Sequence, residues 1–209
     1  PMANAGSEIS AATWRANSTM KTLYPLLVCG VLALGPAAAE QKTWNGGSAA
    51  WSNPAAWSPE GVPDPADEIE IGAGTVTLGG TVVIRNRLTW TGGTLASGQL
   101  EIAASGTVEL PGEADKTSNS FVLVNGGTIR MSDAGRLGCL VTGHGQSVLI
   151  TNLVGATFEM AGSGVVAQVN AGGWPATVAF VNEGTLRKNG PSEIGFLNVP
   201  FHSHGIVFV

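Results

Sequence analysis

Apolar and polar residues alternate in short segments that follow a glycine, and this pattern recurs between residues 72 and 209. In GTLRK at 184–188, apolar Leu186 stands between polar Thr185 and Arg187. Because successive side chains of a strand point to opposite faces, the alternation predicts short strands with one buried face. Recurrence at intervals of about 20–50 residues predicts a stacked repeat fold. The glycines that open the copies are Gly74, Gly106, Gly127, Gly155, Gly184 and Gly205.

The apolar residues keep one phase, at the second and fourth positions after the glycine and one position later after Gly155. The pairs are Val76/Leu78, Val108/Leu110, Ile129/Met131, Phe158/Met160 and Val207/Val209. A slip of one residue would turn a whole apolar set outward, so a constant phase is what stacking in register requires. We therefore predict an all-β fold in which the copies over 72–209 stack as a β-solenoid. Lys188 occupies the fourth position after Gly184, and the corresponding position is apolar in the other copies. A charged residue at this position predicts a strand end or a local defect.

Two details refine the repeat. Gly93 and Gly106 are only 13 residues apart, which predicts that they lie on two sides of one repeat. Asn125, Asn152 and Asn182 each precede the next repeat glycine by two or three positions. Asparagine and glycine both tolerate the left-handed backbone region, so we interpret these asparagines as corner turns.

Charged residues between the apolar positions alternate in sign from one copy to the next, in the order Glu109, Arg130, Glu159 and Arg187. If the copies stack as parallel strands about 4.8 Å apart, these side chains form a charge ladder along one face. Exposed ion pairs contribute only about 0–1 kcal/mol each. We therefore expect the ladder to fix the register of the strands more than their stability.

Residues 40–71 differ from the repeats, with three tryptophans and an acidic run at 64–68. The open end of a stacked repeat must be shielded, and terminal repeats are atypical for that reason. We predict that this segment is an N-terminal cap with Trp44, Trp51 and Trp57 folded over the first repeat. The alternative is a glycan platform, because flat indole faces suit stacking on sugar rings.

The segment before residue 40 has the pattern of a secretory signal peptide over residues 20–39. Lys21 gives it a positive start, an apolar run covers 23–34, and Ala37-Ala38-Ala39 gives a small-residue cleavage site before Glu40. The apolar run is too short for a membrane span, which needs about 20 residues. Residues 1–19 precede a complete leader. We therefore expect the natural chain to start at Met20 and residues 1–19 to be an over-extended start of the reading frame.

Composition supports strands and excludes some partners. Thirty glycines and only 12% charged residues are typical of short strands joined by tight turns. Residues 40–209 carry 8 basic and 14 acidic residues, a net charge of −6, so nucleic acid is not expected as a partner. Cys139 is the only cysteine after Ala39, so no disulfide within the mature chain is expected.

The sequence contains no group of residues typical of catalysis, so we expect no enzyme and no cofactor. His202 and His204 share a strand face but lack a third zinc ligand. Asp64, Asp67 and Glu68 are candidate calcium ligands, although without regular calcium-loop spacing. Arg85 and Arg87 share a face and are candidates for uronate carboxylates, but no paired carboxylates or basic group accompany them.

The leader, the segment Trp44-Asn45-Gly46-Gly47, Trp51, Trp57, Gly61-Val62-Pro63 and Asp67, and the following Asn-x-Gly-Thr repeats resemble exported bacterial β-helical repeat proteins. These include autotransporter passengers and filamentous-haemagglutinin-like adhesins. The resemblance implies a right-handed parallel β-helix that is extracellular or displayed on the cell surface, including the outer membrane surface.

We therefore expect a non-catalytic structural or adhesive surface protein whose partners are surface glycans or other cell-surface proteins, with no membrane-spanning segment in the mature chain. The alternative is a carbohydrate-binding or polysaccharide-cleaving β-helix. The chain stops inside a repeat at Val209, and an uncapped apolar end invites edge pairing. We expect the polypeptide to continue beyond Val209.

Overall fold

A computed structural model describes residues 38–170, 177–189 and 197–209. From Ala38 onward these residues belong to one compact unit. The proposed over-extended start at 1–19 and all of the proposed signal peptide except Ala38 and Ala39 lie outside the described residues.

The described residues form twenty strands and one short 3₁₀ turn at Pro54–Ala56. In chain order the strands are β1 (Gln41–Trp44), β2 (Ser48–Ala50), β3 (Trp57–Ser58), β4 (Glu68–Ile71), β5 (Thr75–Thr77), β6 (Thr81–Ile84), β7 (Arg87–Trp90), β8 (Gly93–Ile102), β9 (Thr107–Leu110), β10 (Lys116–Asn125), β11 (Thr128–Met131), β12 (Arg136–Val141), β13 (Ser147–Asn152), β14 (Thr157–Met160), β15 (Val165–Asn170), β16 (Thr177–Asn182), β17 (Thr185–Lys188), β18 (Leu197–Asn198), β19 (Phe201–Ser203) and β20 (Ile206–Phe208).

The first sheet takes one strand from each successive repeat. Its order within the described residues is β20-β17-β14-β11-β9-β7-β4-β1-β3, and every pair is parallel except β1 with β3. The second sheet takes the strands between them, in the order β18-β15-β12-β10-β13-β16-β19, with β8 joining β2, β5 and β6 to β10. All of its pairs are parallel. The predicted all-β fold with parallel strands is confirmed.

Long strands β8 and β10 carry the chain around a bend inside the second sheet. Their first halves pair with β5 and β12, and their second halves pair with β6 and β13. The bends lie at Ser97 and Ser120, whose φ angles are 53° and 48°. Because residues other than glycine rarely adopt this left-handed backbone, the two bends are not evident from the sequence pattern.

The strands that follow the repeat glycines do not all lie in the same sheet. Gly106, Gly127, Gly184 and Gly205 each directly precede a strand of the first sheet. Gly74 precedes β5 and Gly93 opens β8, both in the second sheet. Gly93 and Gly106 thus lie on two sides of one repeat, as their spacing predicts. Val76 and Leu78 consequently belong to a different row from Val108 and Leu110, and this corrects the single row expected from the sequence.

The core lies between the two sheets and includes the predicted apolar positions from Val76 to Met160. The predicted pair Val207/Val209 is an exception, because these residues are 39% and 88% exposed. Val108, Ile129, Phe158 and Leu186 occupy adjacent register positions in the first sheet and are at most 2% exposed. Lys188 is also buried, and its ammonium donates a hydrogen bond to the Gly162 carbonyl. Lys188 is therefore an inward-pointing residue at the end of β17, with its charge solvated by backbone.

The tryptophans of residues 40–71 form one buried cluster. Trp57 contacts Trp44 and Trp51 edge to face, with ring centroids 5.0 and 4.8 Å apart. The indole N–H of Trp57 donates to the Trp51 carbonyl at 2.9 Å. The residues are 5%, 6% and 1% exposed for Trp44, Trp51 and Trp57, respectively. Stacking on a sugar ring requires an uncovered indole face, and the cluster covers all three.

Cys139 is buried in β12, and its thiol is predicted to be unreactive in the folded protein. Desolvation raises the pKa of Cys139 to about 11, although Ser118 partly opposes the shift through a hydrogen bond. Since the thiolate is the reactive species, only about 0.1% of the thiol is reactive at about pH 8. In a chain in which Cys29 is replaced by serine, we expect a disulfide reagent to label Cys139 much more slowly than in denaturant. Rapid labelling of the folded chain would contradict this prediction.

Candidate functional site: the charged face of the first sheet

The outward side of the first sheet carries two rows of polar residues, which we call the charged face. One row contains Thr43, Glu70, Thr89, Glu109, Arg130, Glu159 and Arg187. The other row, two residues earlier in each strand, contains Gln41, Glu68, Arg87, Thr107, Thr128, Thr157 and Thr185. Strict alternation in β4, β7, β9, β11, β14 and β17 produces both rows, because every second residue points away from the core.

The structure places the four ladder residues at directly paired positions. Glu109 pairs in register with Arg130, Arg130 with Glu159, and Glu159 with Arg187. The Arg130 Nε lies 2.9 Å from a Glu159 carboxylate oxygen. Arg187 lies over the ring of Phe208, 5.1 Å from its centroid. The charges of these residues therefore alternate in sign from strand to strand across the sheet, as the sequence predicts.

The ladder residues perturb one another's ionisation. The hydrogen bond and charge of Glu159, with the charge of Glu109, raise the pKa of Arg130. Desolvation alone would raise the pKa of Glu159. Hydrogen bonds from Arg130 and Asn189 and the charges of Arg130 and Arg187 outweigh it, so the pKa of Glu159 is lowered. The Glu159 side chain is 16% exposed and that of Arg130 is 50% exposed, so solvent screens most of the attraction.

We predict that Glu159→Gln lowers the free energy of unfolding by about 1 kcal/mol or less at low salt. A carboxylate whose folded pKa is depressed stabilises the fold above its unfolded pKa and loses that effect as pH falls through the folded value. The difference between wild type and Glu159→Gln should therefore shrink as pH falls below the ordinary glutamate value of 4.5. Denaturant titrations across this range, with Glu113→Gln in an exposed turn as control, test this; a difference that grows towards acid would contradict it.

The N-terminal half of the charged face contains an ion pair beside a shallow depression. Arg87 and Glu68 are 2.7 Å apart, and both side chains are about half exposed. They line a depression of about 310 Å³ with Asn86, Ser105, Thr107 and Glu109. Arg87 is thus paired, and Arg85 lies outside the strands, between β6 and β7. The depression is open and polar, which suits contact with another surface better than enclosure of a small substrate.

The candidate metal ligands lie apart or are already occupied. Asp67 accepts backbone hydrogen bonds from Glu40 and Asp64 at 2.8 and 2.7 Å. Asp64 accepts one from the Ala66 amide at 3.0 Å, and Glu68 is paired with Arg87. His202 and His204 lie in and just after the exposed strand β19. Among the described residues, no three His, Cys, Asp or Glu side chains are grouped to hold a metal ion.

Sequence reasoning missed a ladder of buried asparagines. Asn125, Asn152 and Asn182 end β10, β13 and β16 at paired register positions and are fully buried. The Asn125 Nδ2 donates to Asn152 Oδ1 and the Asn152 Nδ2 to Asn182 Oδ1, each at 2.7 Å. The Asn182 Nδ2 donates to the Ser203 hydroxyl at 3.0 Å. Each asparagine stands at the end of a strand directly before a turn, as the sequence predicts, but its backbone is not left-handed. The hydrogen-bonded ladder is the feature that the prediction lacks.

The two rows of the charged face present polar side chains outward on adjacent strands. Within the described residues, no helix has the length and hydropathy needed to cross a membrane. No family model, curated protein or solved structure matches the chain.

Proposed function

We propose that the chain is an exported bacterial surface protein with a structural or adhesive, non-catalytic role. The described residues from 72 onward form a right-handed parallel β-solenoid, and the chain acts by presenting a rigid surface to surface glycans or other cell-surface proteins. The resemblance to exported β-helical proteins and the leader before Glu40 support export. The handedness follows from the strong preference of parallel crossovers for the right hand.

One observation carries the proposal: adjacent first-sheet strands from β1 to β20 keep one register. Through β17 their outward residues are polar, and their inward residues are apolar except Lys42 and Lys188. Each repeat contacts mainly its neighbours, as in repeat proteins that display an extended surface. The charged face lies on that surface, where its exposed side chains are available to a partner.

We infer that the tryptophan cluster closes the N-terminal end of the solenoid. Strand β3 is the outermost strand of the first sheet and pairs antiparallel with β1, so it ends the parallel stack. Trp57 lies in β3, and its ring contacts reach Trp44 and Trp51. An antiparallel edge strand with large apolar side chains shields the core and blocks further parallel pairing.

The export part is tested by producing the full chain in a Gram-negative host and sequencing the N-terminus of the exported form. We expect Glu40 as its first residue and protease accessibility from outside the cell. Retention in the cytoplasm, or a first residue other than Glu40, would contradict this part of the proposal.

The non-catalytic part is tested by combining a glycan array with polysaccharide depolymerisation assays on the exported chain. Binding without released sugar ends supports presentation of a surface. Release of sugar ends would overturn it and favour the polysaccharide-cleaving alternative. Variants that reverse the charge at Arg130 and Arg187 would show whether the charged face is the binding surface. Glu113→Arg, which reverses a charge outside the charged face, is the control.

A further inference from the structure

The buried carboxylate of Asp67 lies beside Glu40, the residue expected to begin the chain after the leader is removed. Asp67 is 5% exposed. One of its oxygens accepts a hydrogen bond from the Glu40 backbone nitrogen at 2.8 Å, and the other accepts one from the Asp64 nitrogen at 2.7 Å. Ala38, Ala39 and Glu40 themselves are exposed, so a protease can reach the bond between Ala39 and Glu40.

Among the described residues, no salt bridge reaches the Asp67 carboxylate. The ammonium of Lys42 pairs with the Glu40 side chain at 2.8 Å. Burying a charge is costly unless it is paired as well as hydrogen-bonded. The two backbone N–H groups supply hydrogen bonds but no net positive charge.

We propose that Asp67 is the binding site for the α-ammonium group that removal of the leader creates on Glu40. This inference rests on the proposed export of the chain. A signal peptidase would hydrolyse the peptide bond between Ala39 and Glu40. Water supplies the hydroxyl that converts the Ala39 carbonyl to a carboxyl group and the hydrogen that converts the Glu40 amide nitrogen to an amine, which takes a proton at neutral pH.

Processing then changes the chemistry of one contact without moving its atoms. Before cleavage the Glu40 nitrogen is a neutral amide with a single N–H. Afterwards it is a cation with three donors, and its 2.8 Å distance to Asp67 lies in the usual range for charge-assisted bonds. The Glu40 carbonyl also accepts from the Glu68 nitrogen at 2.8 Å, so backbone pairing with β4 holds the new terminus in place.

The experiment compares cut and uncut forms of the full chain. A site for a sequence-specific protease is inserted between Ala39 and Glu40 so that cleavage leaves Glu40 as the first residue, independently of export. We expect cleavage to lower the unfolding equilibrium constant at about pH 7 by at least about tenfold in the parent chain and to leave Asp67→Asn unchanged. An equal effect of cleavage in both chains, or no effect in the parent, would overturn the proposal.

A second measurement separates charge from a merely structural role and does not depend on the folding of Asp67→Asn. An ordinary α-amine titrates near pH 8, and a buried carboxylate raises that value. A cation with a raised folded pKa stabilises the fold below its unfolded pKa and loses the effect as pH rises through the folded value. We therefore expect the advantage of the cut chain to fall above about pH 8. Carbamylation of the Glu40 amine by cyanate should abolish it.

The other charged groups at this site are the paired Glu40 and Lys42 side chains, Asp64, and Glu68 with its partner Arg87. Carboxyl groups titrate far below pH 7, so the α-amine is the group expected to respond between about pH 7 and about pH 9. An advantage that is constant over this range, or that survives carbamylation, would overturn the proposal. A first residue other than Glu40 in the exported chain would instead overturn the proposed processing.

Discussion

Replacing Gly127 by alanine is expected to lower the free energy of unfolding by about 2–3 kcal/mol. A methyl group on Gly127 would lie closer than 3.0 Å to the carbonyl oxygens of Ala103 and Gly106, and 3.1 Å from Ile102 Cγ2. The obstacles are mainly backbone oxygens of the preceding repeat, which no side-chain rotation removes. The repeats would have to separate locally, and separation weakens the hydrogen bond from the Thr128 nitrogen to the Gly106 carbonyl.

Gly80→Ala is the matched control for this substitution. A methyl group on Gly80 would meet no atom within 4 Å, and its backbone is not left-handed. Alanine restricts the unfolded chain, so where the native site tolerates it a gain of about 0.4–1 kcal/mol is expected. The same chemical change should thus have opposite signs at the two sites in denaturant titrations. Equal stability of Gly127→Ala and wild type would show that the repeats do not approach as closely as the structure indicates.

The sequence was sufficient to predict the first-sheet strands β9, β11, β14 and β17 because their alternation is strict. Ile129 and Met131 point inward and Thr128 and Arg130 outward. Since the same phase recurs after Gly106, Gly127 and Gly184, the strands of neighbouring repeats pair residue for residue, and the positions of the charge ladder follow. Local pattern and long-range pairing agree here, which is the condition for a sequence to specify one register.

The second sheet was less predictable because its strands lack a constant length or start. Strands β8 and β10 pass through bends at Ser97 and Ser120, and two shorter strands replace such a long strand in the repeats that follow. Buried Lys116 belongs to this sheet and donates to the carbonyls of Pro111 and Gly112. Desolvation lowers the pKa of Lys116, and the charges of Asp133 and Asp115 only partly oppose it. A charged residue inside the core defeats any prediction that is based on apolar periodicity.

The asparagine ladder was missed because one residue type suits two environments. Asparagine favours turns by propensity, and Asn125, Asn152 and Asn182 stand directly before turns. The available signal was their constant place at the end of an alternating apolar segment, on the inward side of the strand. Inward position in a parallel stack brings identical amides opposite one another, where each donates to the next.

Asn152→Ala is expected to lower the free energy of unfolding by about 3 kcal/mol, an effect comparable to that of Gly127→Ala. Asn152 both accepts from Asn125 and donates to Asn182 and to the Thr185 carbonyl, at 2.7, 2.7 and 3.1 Å. Alanine removes all three bonds and leaves the Asn182 oxygen buried without this donor. Asn189→Ala, which removes an exposed asparagine that donates to Glu159, serves as control and should cost less than about 1 kcal/mol.

Asn152→Asp separates the hydrogen bonds from the cavity that alanine leaves, because aspartate keeps the shape of asparagine. Ionised, it still accepts from Asn125 but turns a carboxylate oxygen towards the Asn182 oxygen, which repels it. Protonated, it again has a donor for Asn182. Burial and this repulsion raise its folded pKa above the unfolded value of about 3.9, so the variant loses stability as pH rises above that value. Denaturant titrations should therefore find the deficit of Asn152→Asp large at about pH 7 and smaller at about pH 4. A deficit that does not change with pH would mean that the amide proton donated to Asn182 does not hold the repeats together.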